Sequence, residues 1–120
     1  MDFIAQKNKR LIVRQKTSVC NIYIDNINFI QCEEDVSTIH FVDKRKKVIV
    51  SKRLKQFEKE LQKYGYIRSA HNTLVNVLQI HEIKNGNART LIMKNDEVAP
   101  ITRRKLPQLK QILESESNHL

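Results

Sequence analysis

The chain has 120 residues, 40% of them hydrophobic, which supplies one modest core and not two. Lys and Arg outnumber Asp and Glu by 22 to 13, a net charge of +9, which points to a polyanion such as nucleic acid or an anionic membrane surface, the alternative being charge that only aids solubility. Two glycines and two prolines exclude a disordered linker, a fibrous repeat and a glycine-rich phosphate loop.

Residues 1–10 are polar and basic and read as an N-terminal extension. Their apolar patch, Phe3-Ile4-Ala5, is far shorter than an export signal. No apolar run approaches the roughly 20 residues of a membrane helix. A cytoplasmic chain without membrane contact is therefore expected. Cys20 and Cys32 lie in no CxxC pair and read as small core residues.

Leu11–Arg14 is a first short strand. Cys20, Ile22 and Ile24 alternate with Val19, Asn21 and Tyr23, the period of a half-buried strand. Asp25-Asn26 breaks it, and Asn28–Cys32 resumes. Glu33–Asp35 is an acidic loop. Val36–Val42 alternates again, with Ile39 and Phe41 on one face and Thr38 and His40 on the other. The charged connection Asp43–Lys47 leads to the return strand Val48–Val50, which completes a hairpin. Leu54, Phe57 and Leu61 form one helical stripe, with Ser51 as the expected N-cap and Gly65 as the stop.

Tyr66–Asn76 holds apolar residues around a polar knot, Arg68-Ser69-Ala70-His71-Asn72, which reads as a loop. Val77–Ile83 reads as strand. Asn85-Gly86 is the strongest hairpin-turn signal, because both residues tolerate positive φ. Thr90–Met93 pairs back, Asn95-Asp96 turns, and Pro100 confines Val98–Ile101 to a short or edge strand. Leu106, Leu109, Ile112 and Leu113 make a second helical stripe. A turn at Arg103–Lys105 with the helix starting near Pro107 spares the chain a proline deep in the helix. Residues 114–120 read as a polar tail. The fold class is thus mainly β: elongated antiparallel sheets of about eight or nine short strands with two short α-helices.

Enzyme signals are weak. The four histidines have no metal-ligand spacing and no cysteine partner, and the carboxylates form no acid/base pair. No enzyme activity, metal or cofactor is expected. Arg103-Arg104-Lys105 lies near a helix N-terminus, the wrong pole for cations unless an outside anion such as phosphate sits there. Lys44–Lys47, with Lys52, Arg53 and Lys55, is a further basic cluster. Neither helix looks like a recognition helix, so groove reading would fall to loops between strands.

Tyr66-Ile67-Arg68, followed after the knot by Leu74-Val75-Asn76, resembles the signature of LytTR-type DNA-binding domains. Pro100-Ile101-Thr102-Arg103-Arg104 resembles that family's closing Pro-Val-Ser-Arg-Arg segment, and the strands and helix upstream follow in the same order. The resemblance spans 11–113. It implies an elongated β fold that bends duplex DNA and reads successive major grooves through three loops, as a bacterial transcriptional regulator. Carried over by position, the base-contacting residues are Ser37 or Thr38, then His71 and Asn72, then Arg103. Arg68, Arg104, Lys105, Lys52 and Arg53 would support them or contact phosphates. Arg pairs bidentately with guanine and Asn with adenine. The partner implied is double-stranded DNA with two repeated sites, bound by a homodimer. Ala70-His71-Asn72 stands where the family commonly has His-Arg-Ser, and Thr73 where it has an aromatic residue. Members often follow a receiver domain, for which 120 residues leave no room. That leaves a stand-alone regulator or a fragment. The alternative is a basic accessory module that binds RNA or a protein without reading sequence.

Overall fold

Three antiparallel sheets stack along a molecule of 48 × 31 × 24 Å in the computed structural model, which describes residues 9–115. β1 (Arg10–Arg14) and β2 (Val19–Tyr23) form a hairpin that points Leu11, Val13 and Ile22 inward. The central sheet has the order β5-β4-β3-β7-β6. It is built from β3 (Ile27–Glu33), β4 (Val36–Phe41), β5 (Val48–Val50), β6 (Tyr66–Ala70) and β7 (Thr73–Asn76). The third sheet, order β10-β9-β8, holds β8 (Ile80–Asn85), β9 (Arg89–Met93) and β10 (Val98–Pro100). Pro100 ends an edge strand, where its missing N–H costs no ladder bond. The helices are α1 (Leu54–Leu61) and α2 (Leu106–Ser115).

Both faces of the central sheet are covered, which is why four consecutive residues of β3, Ile27–Ile30, are buried without alternation. On one face Ile30, Ile39, Phe41 and Leu74 pack with the β1–β2 hairpin and with Leu54, Phe57 and Leu61 of α1. On the other, Phe29 and Val75 pack with Leu91, Met93 and Leu109 from β9 and α2. The chain is therefore mainly β with two short helices, as its periodicities indicate, and it has ten strands among the described residues.

Several local expectations change. The polar knot is mostly strand: β6 runs to Ala70, and only His71-Asn72 forms the turn. Ser69 is the extra residue of a β-bulge between Arg68 and Ala70, and both Ser69 and Ala70 are buried. Small side chains let the bulge sit under the neighbouring layer. Val77–Gln79 is a 3₁₀ turn and not strand, because the Asn76 side chain accepts the Leu78 N–H and bends the chain. The N-cap of α1 is Arg53, not Ser51. Its N–H donates to Gln56 Oε1 at 3.3 Å, and the Gln56 N–H donates to its carbonyl at 3.1 Å. The β8–β9 turn spans Gly86–Ala88, and neither Asn85 nor Gly86 takes a positive φ. Arg10 belongs to β1, and Glu114 and Ser115 to α2. The rest of the expected extension, 1–8, and of the tail, 116–120, lies outside the described residues.

Candidate nucleic-acid interface

Antiparallel pairing sends the β3–β4 turn and the β6–β7 turn to the same end of the central sheet. The Cys32 N–H donates to the Asn72 carbonyl at 2.8 Å and ties the two together. The third segment joins at the free edge of β6, where the Thr102 N–H donates to the Ser69 carbonyl at 2.9 Å. The bulge at Ser69 re-aims the β6–β7 turn, a usual function of bulges beside binding sites. The N-terminus of α1 closes the group. Arg53, Lys55, Arg68, His71 and Asn72 line one open cleft with Glu34 and Asp35.

The expected site residues separate here by exposure. His71 is exposed and Asn72 half-buried at the tip of the turn. Arg103 and Arg104 are exposed, and among the described residues neither makes an ion pair. Lys105 is half-buried; its N–H donates to Thr102 Oγ1 at 3.2 Å, so Thr102 caps the tight turn that leads into α2. Ser37 is a correction. It lies in β4, not in a loop, and is fully buried, with its hydroxyl donated to the Lys52 carbonyl. That leaves no surface for a base. Thr38 is also in β4, half-buried on the opposite face, level with Gln31 of β3.

The cations expected at phosphates are engaged to different degrees. Arg53 Nε sits 2.9 Å from Asp35 Oδ1 with both side chains more than two-thirds exposed, a pair worth about 0–1 kcal/mol and easily exchanged. Lys52 Nζ pairs with Glu60 at 2.7 Å and lies 4.6 Å from the Phe57 ring centre. Arg68 is held at both ends of its guanidinium: Nε donates to Glu58 Oε1 at 3.1 Å and Nη1 to the His71 carbonyl at 2.7 Å. It acts within the fold. Lys44–Lys47 lies in the β4–β5 connection, at the opposite end of the sheet from the His71 turn. Sequence reasoning missed Glu58, because nothing in a helix face of Lys and Glu marks one carboxylate as the partner of a residue ten positions on.

Among the described residues no group of three His, Cys, Asp or Glu side chains could hold a metal ion. No described helix is long and apolar enough to cross a membrane.

No curated protein sequence matches the chain. Among solved structures it is similar to the LytTr DNA-binding domain of a Bacillus cereus protein described as a methyl-accepting/DNA response regulator. That match has a TM-score of 0.72 at 16% identity and covers 89% of this chain and 98% of that one. Identity that low speaks for the fold alone. The model of the LytTr DNA-binding domain matches residues 17–114, a span that takes in the central sheet, the turns gathered at its end and α2 up to its penultimate residue. The chain therefore belongs to the LytTr family of DNA-binding domains found in transcriptional regulators.

Proposed function

We propose that this domain binds duplex DNA sequence-specifically, with loops at one end of its central sheet entering the major groove. His71, Asn72 and Arg103 contact base edges, with Thr38 at the margin of the contact. Arg104, Lys105, Arg53 and Lys52 meet phosphates. Arg103 offers the fork that fits guanine O6 and N7, and Asn72 the amide that fits adenine N6 and N7. Two repeats about one helical turn apart would seat two copies of the chain.

The observation that carries this reading is the juxtaposition of the His71–Asn72 turn with Thr102 and the exposed Arg103-Arg104 pair, through the Thr102–Ser69 hydrogen bond. A doubly covered sheet holds these turns rigid, and rigid support is what base reading needs. Single-strand stacking has little to work with, because Phe29, Phe41, Phe57 and Tyr66 are core and the exposed Tyr23 lies at the end of β2, outside the group of turns.

The test is selection of a duplex from a random library by the wild-type chain, followed by Arg103→Ala. Specific affinity should fall by about 1–3 kcal/mol, with relaxed preference at one base pair. A uniform loss on every duplex would move Arg103 to the phosphates. Equal affinity for RNA and unrelated DNA, with one salt slope, would leave only a basic accessory module.

A further inference from the structure

We propose that Glu58 is a positioning residue for the reading turn: through Arg68 it fixes how His71 and Asn72 are presented. The inference rests on the reading of that turn as a DNA contact. A two-residue turn that follows a bulge has few bonds of its own, since the β6–β7 ladder closes at Ala70 and Thr73. Both of its carbonyls are instead gripped from outside. The Asn72 carbonyl accepts from Cys32 N–H at 2.8 Å, and the His71 carbonyl accepts from Arg68 Nη1 at 2.7 Å. The first grip comes from backbone and is rigid. The second is a long side chain, and a long side chain is rigid only if its far end is tied.

Glu58 ties it. Its Oε1 accepts Arg68 Nε at 3.1 Å, with both side chains a quarter to a third exposed. Glu58 stands on a helix whose Leu54, Phe57 and Leu61 are buried in the core, so the carboxylate is fixed to the body of the protein. Without it, Arg68 can swing toward solvent or a phosphate and release the His71 carbonyl. A carboxylate beside a DNA-facing turn repels phosphates. A purely electrostatic role for Glu58 therefore predicts that removing it tightens binding to all DNA. A positioning role predicts the opposite sign on the correct duplex.

The experiment uses the full chain with Glu58→Ala, Arg68→Ala and the double variant. Each is titrated with the duplex selected by the wild type and with an unrelated duplex across a salt series. Glu58→Ala should lose about tenfold on the selected duplex, the usual size of a lost charge-assisted bond, and lose nothing on the unrelated one. The double variant should lose little more than Arg68→Ala alone, because both act through one clamp. Equal tightening on both duplexes, or additive losses, overturns the proposal. Amide hydrogen exchange at His71 and Asn72 gives a readout independent of DNA. It should quicken in Glu58→Ala while exchange in β3 stays unchanged. If the wild type selects no duplex, the DNA reading of the turn fails, and the exchange rates alone decide whether Glu58 positions it. Unchanged exchange refutes the clamp.

Discussion

Asn76 and Tyr66 do most of the side-chain bonding in the signature stretch, three hydrogen bonds each. Asn76 Nδ2 donates to the Ile27 carbonyl at 2.9 Å and reaches the Tyr66 hydroxyl at 3.0 Å, and Asn76 Oδ1 accepts Leu78 N–H at 3.2 Å. The Tyr66 hydroxyl in turn donates to the Ile24 carbonyl, and burial pushes its pKa far up, so it stays a donor. Asn76 is buried, so Asn76→Ala takes one of two donors from the Ile27 carbonyl, which keeps the Tyr66 hydroxyl at 3.0 Å, and removes the side-chain acceptor of the Leu78 N–H. The expected cost is about 1–3 kcal/mol for the buried bonds lost with the amide, read as a lower urea midpoint with an unchanged slope. A midpoint within error of wild type would show that the Tyr66 hydroxyl alone serves the Ile27 carbonyl and that the Leu78 N–H finds another acceptor. Leu74-Val75-Asn76 is recognisable as a motif in the sequence, yet the bonds that explain it are not, because Ile27 lies 49 residues away. Ser37 fails for a related reason. A serine in an alternating strand looks the same whether its hydroxyl meets solvent or a carbonyl, and only the approach of the Lys52 segment buries it.

At the scale of elements, the two glycines separate what the chain signals from what it needs. Gly65 ends the 3₁₀ turn after α1 with φ 88°, a left-handed conformation, and its carbonyl accepts Val77 N–H at 3.0 Å. Gly86 has no positive φ, and a Cβ placed there meets nothing within 4 Å. The same substitution should therefore act with opposite signs. Gly65→Ala is expected to cost about 1–2 kcal/mol for forcing an L side chain into that region. Gly86→Ala should be neutral or stabilise by up to about 1 kcal/mol by restricting the unfolded chain. Thermal midpoints of the two variants check this, and a larger loss at Gly86 would contradict it. The helix stop at Gly65 is legible because an apolar stripe ends just before it. The Asn85-Gly86 signal gives the hairpin but not the turn type, since the strands extend to Asn85 and Arg89 and leave a three-residue loop. Strand and helix stripes survive in the structure because burial follows periodicity. Val77–Gln79 escapes it, because a side-chain bond from Asn76 overrides an apolar run.

The whole molecule depends on how its third sheet is fixed to the central one, and the link furthest from the reading turns is polar. Asn28, buried in β3, donates to Asn95 Oδ1 at 3.1 Å and Glu97 Oε1 at 2.9 Å, and Asn95 donates to the Val42 carbonyl at 3.1 Å. His40 stacks on Phe29 with centroids 4.1 Å apart, its Nδ1 3.5 Å from Glu97 Oε2. Burial lowers the His40 pKa from 6.5, and Lys47 adds to the shift against the opposing pull of Glu97. Burial raises the Glu97 pKa, but the hydrogen bonds from Asn95 and Asn28, with the approach of His40, outweigh it and leave the group below 4.5. Both shifts give the same sign. Just below pH 6.5 the unfolded chain binds a proton at His40 that the fold resists, so stability is full above 6.5 and falls as the pH drops. The contribution of Glu97 is present above 4.5 and is lost as the pH falls through its lowered folded value. Acid thus loosens the link between the sheets in two steps, histidine first. Urea unfolding of the wild type should show stability declining as the pH falls from 6.5 toward 4.5, the histidine step, before the Glu97 step begins. His40→Phe, which keeps an aromatic ring on Phe29 and removes the proton site, should flatten the curve over that interval and leave the lower decline. A variant that keeps the wild-type slope there would assign the upper step to another group and leave the inter-sheet link indifferent to acid in that range.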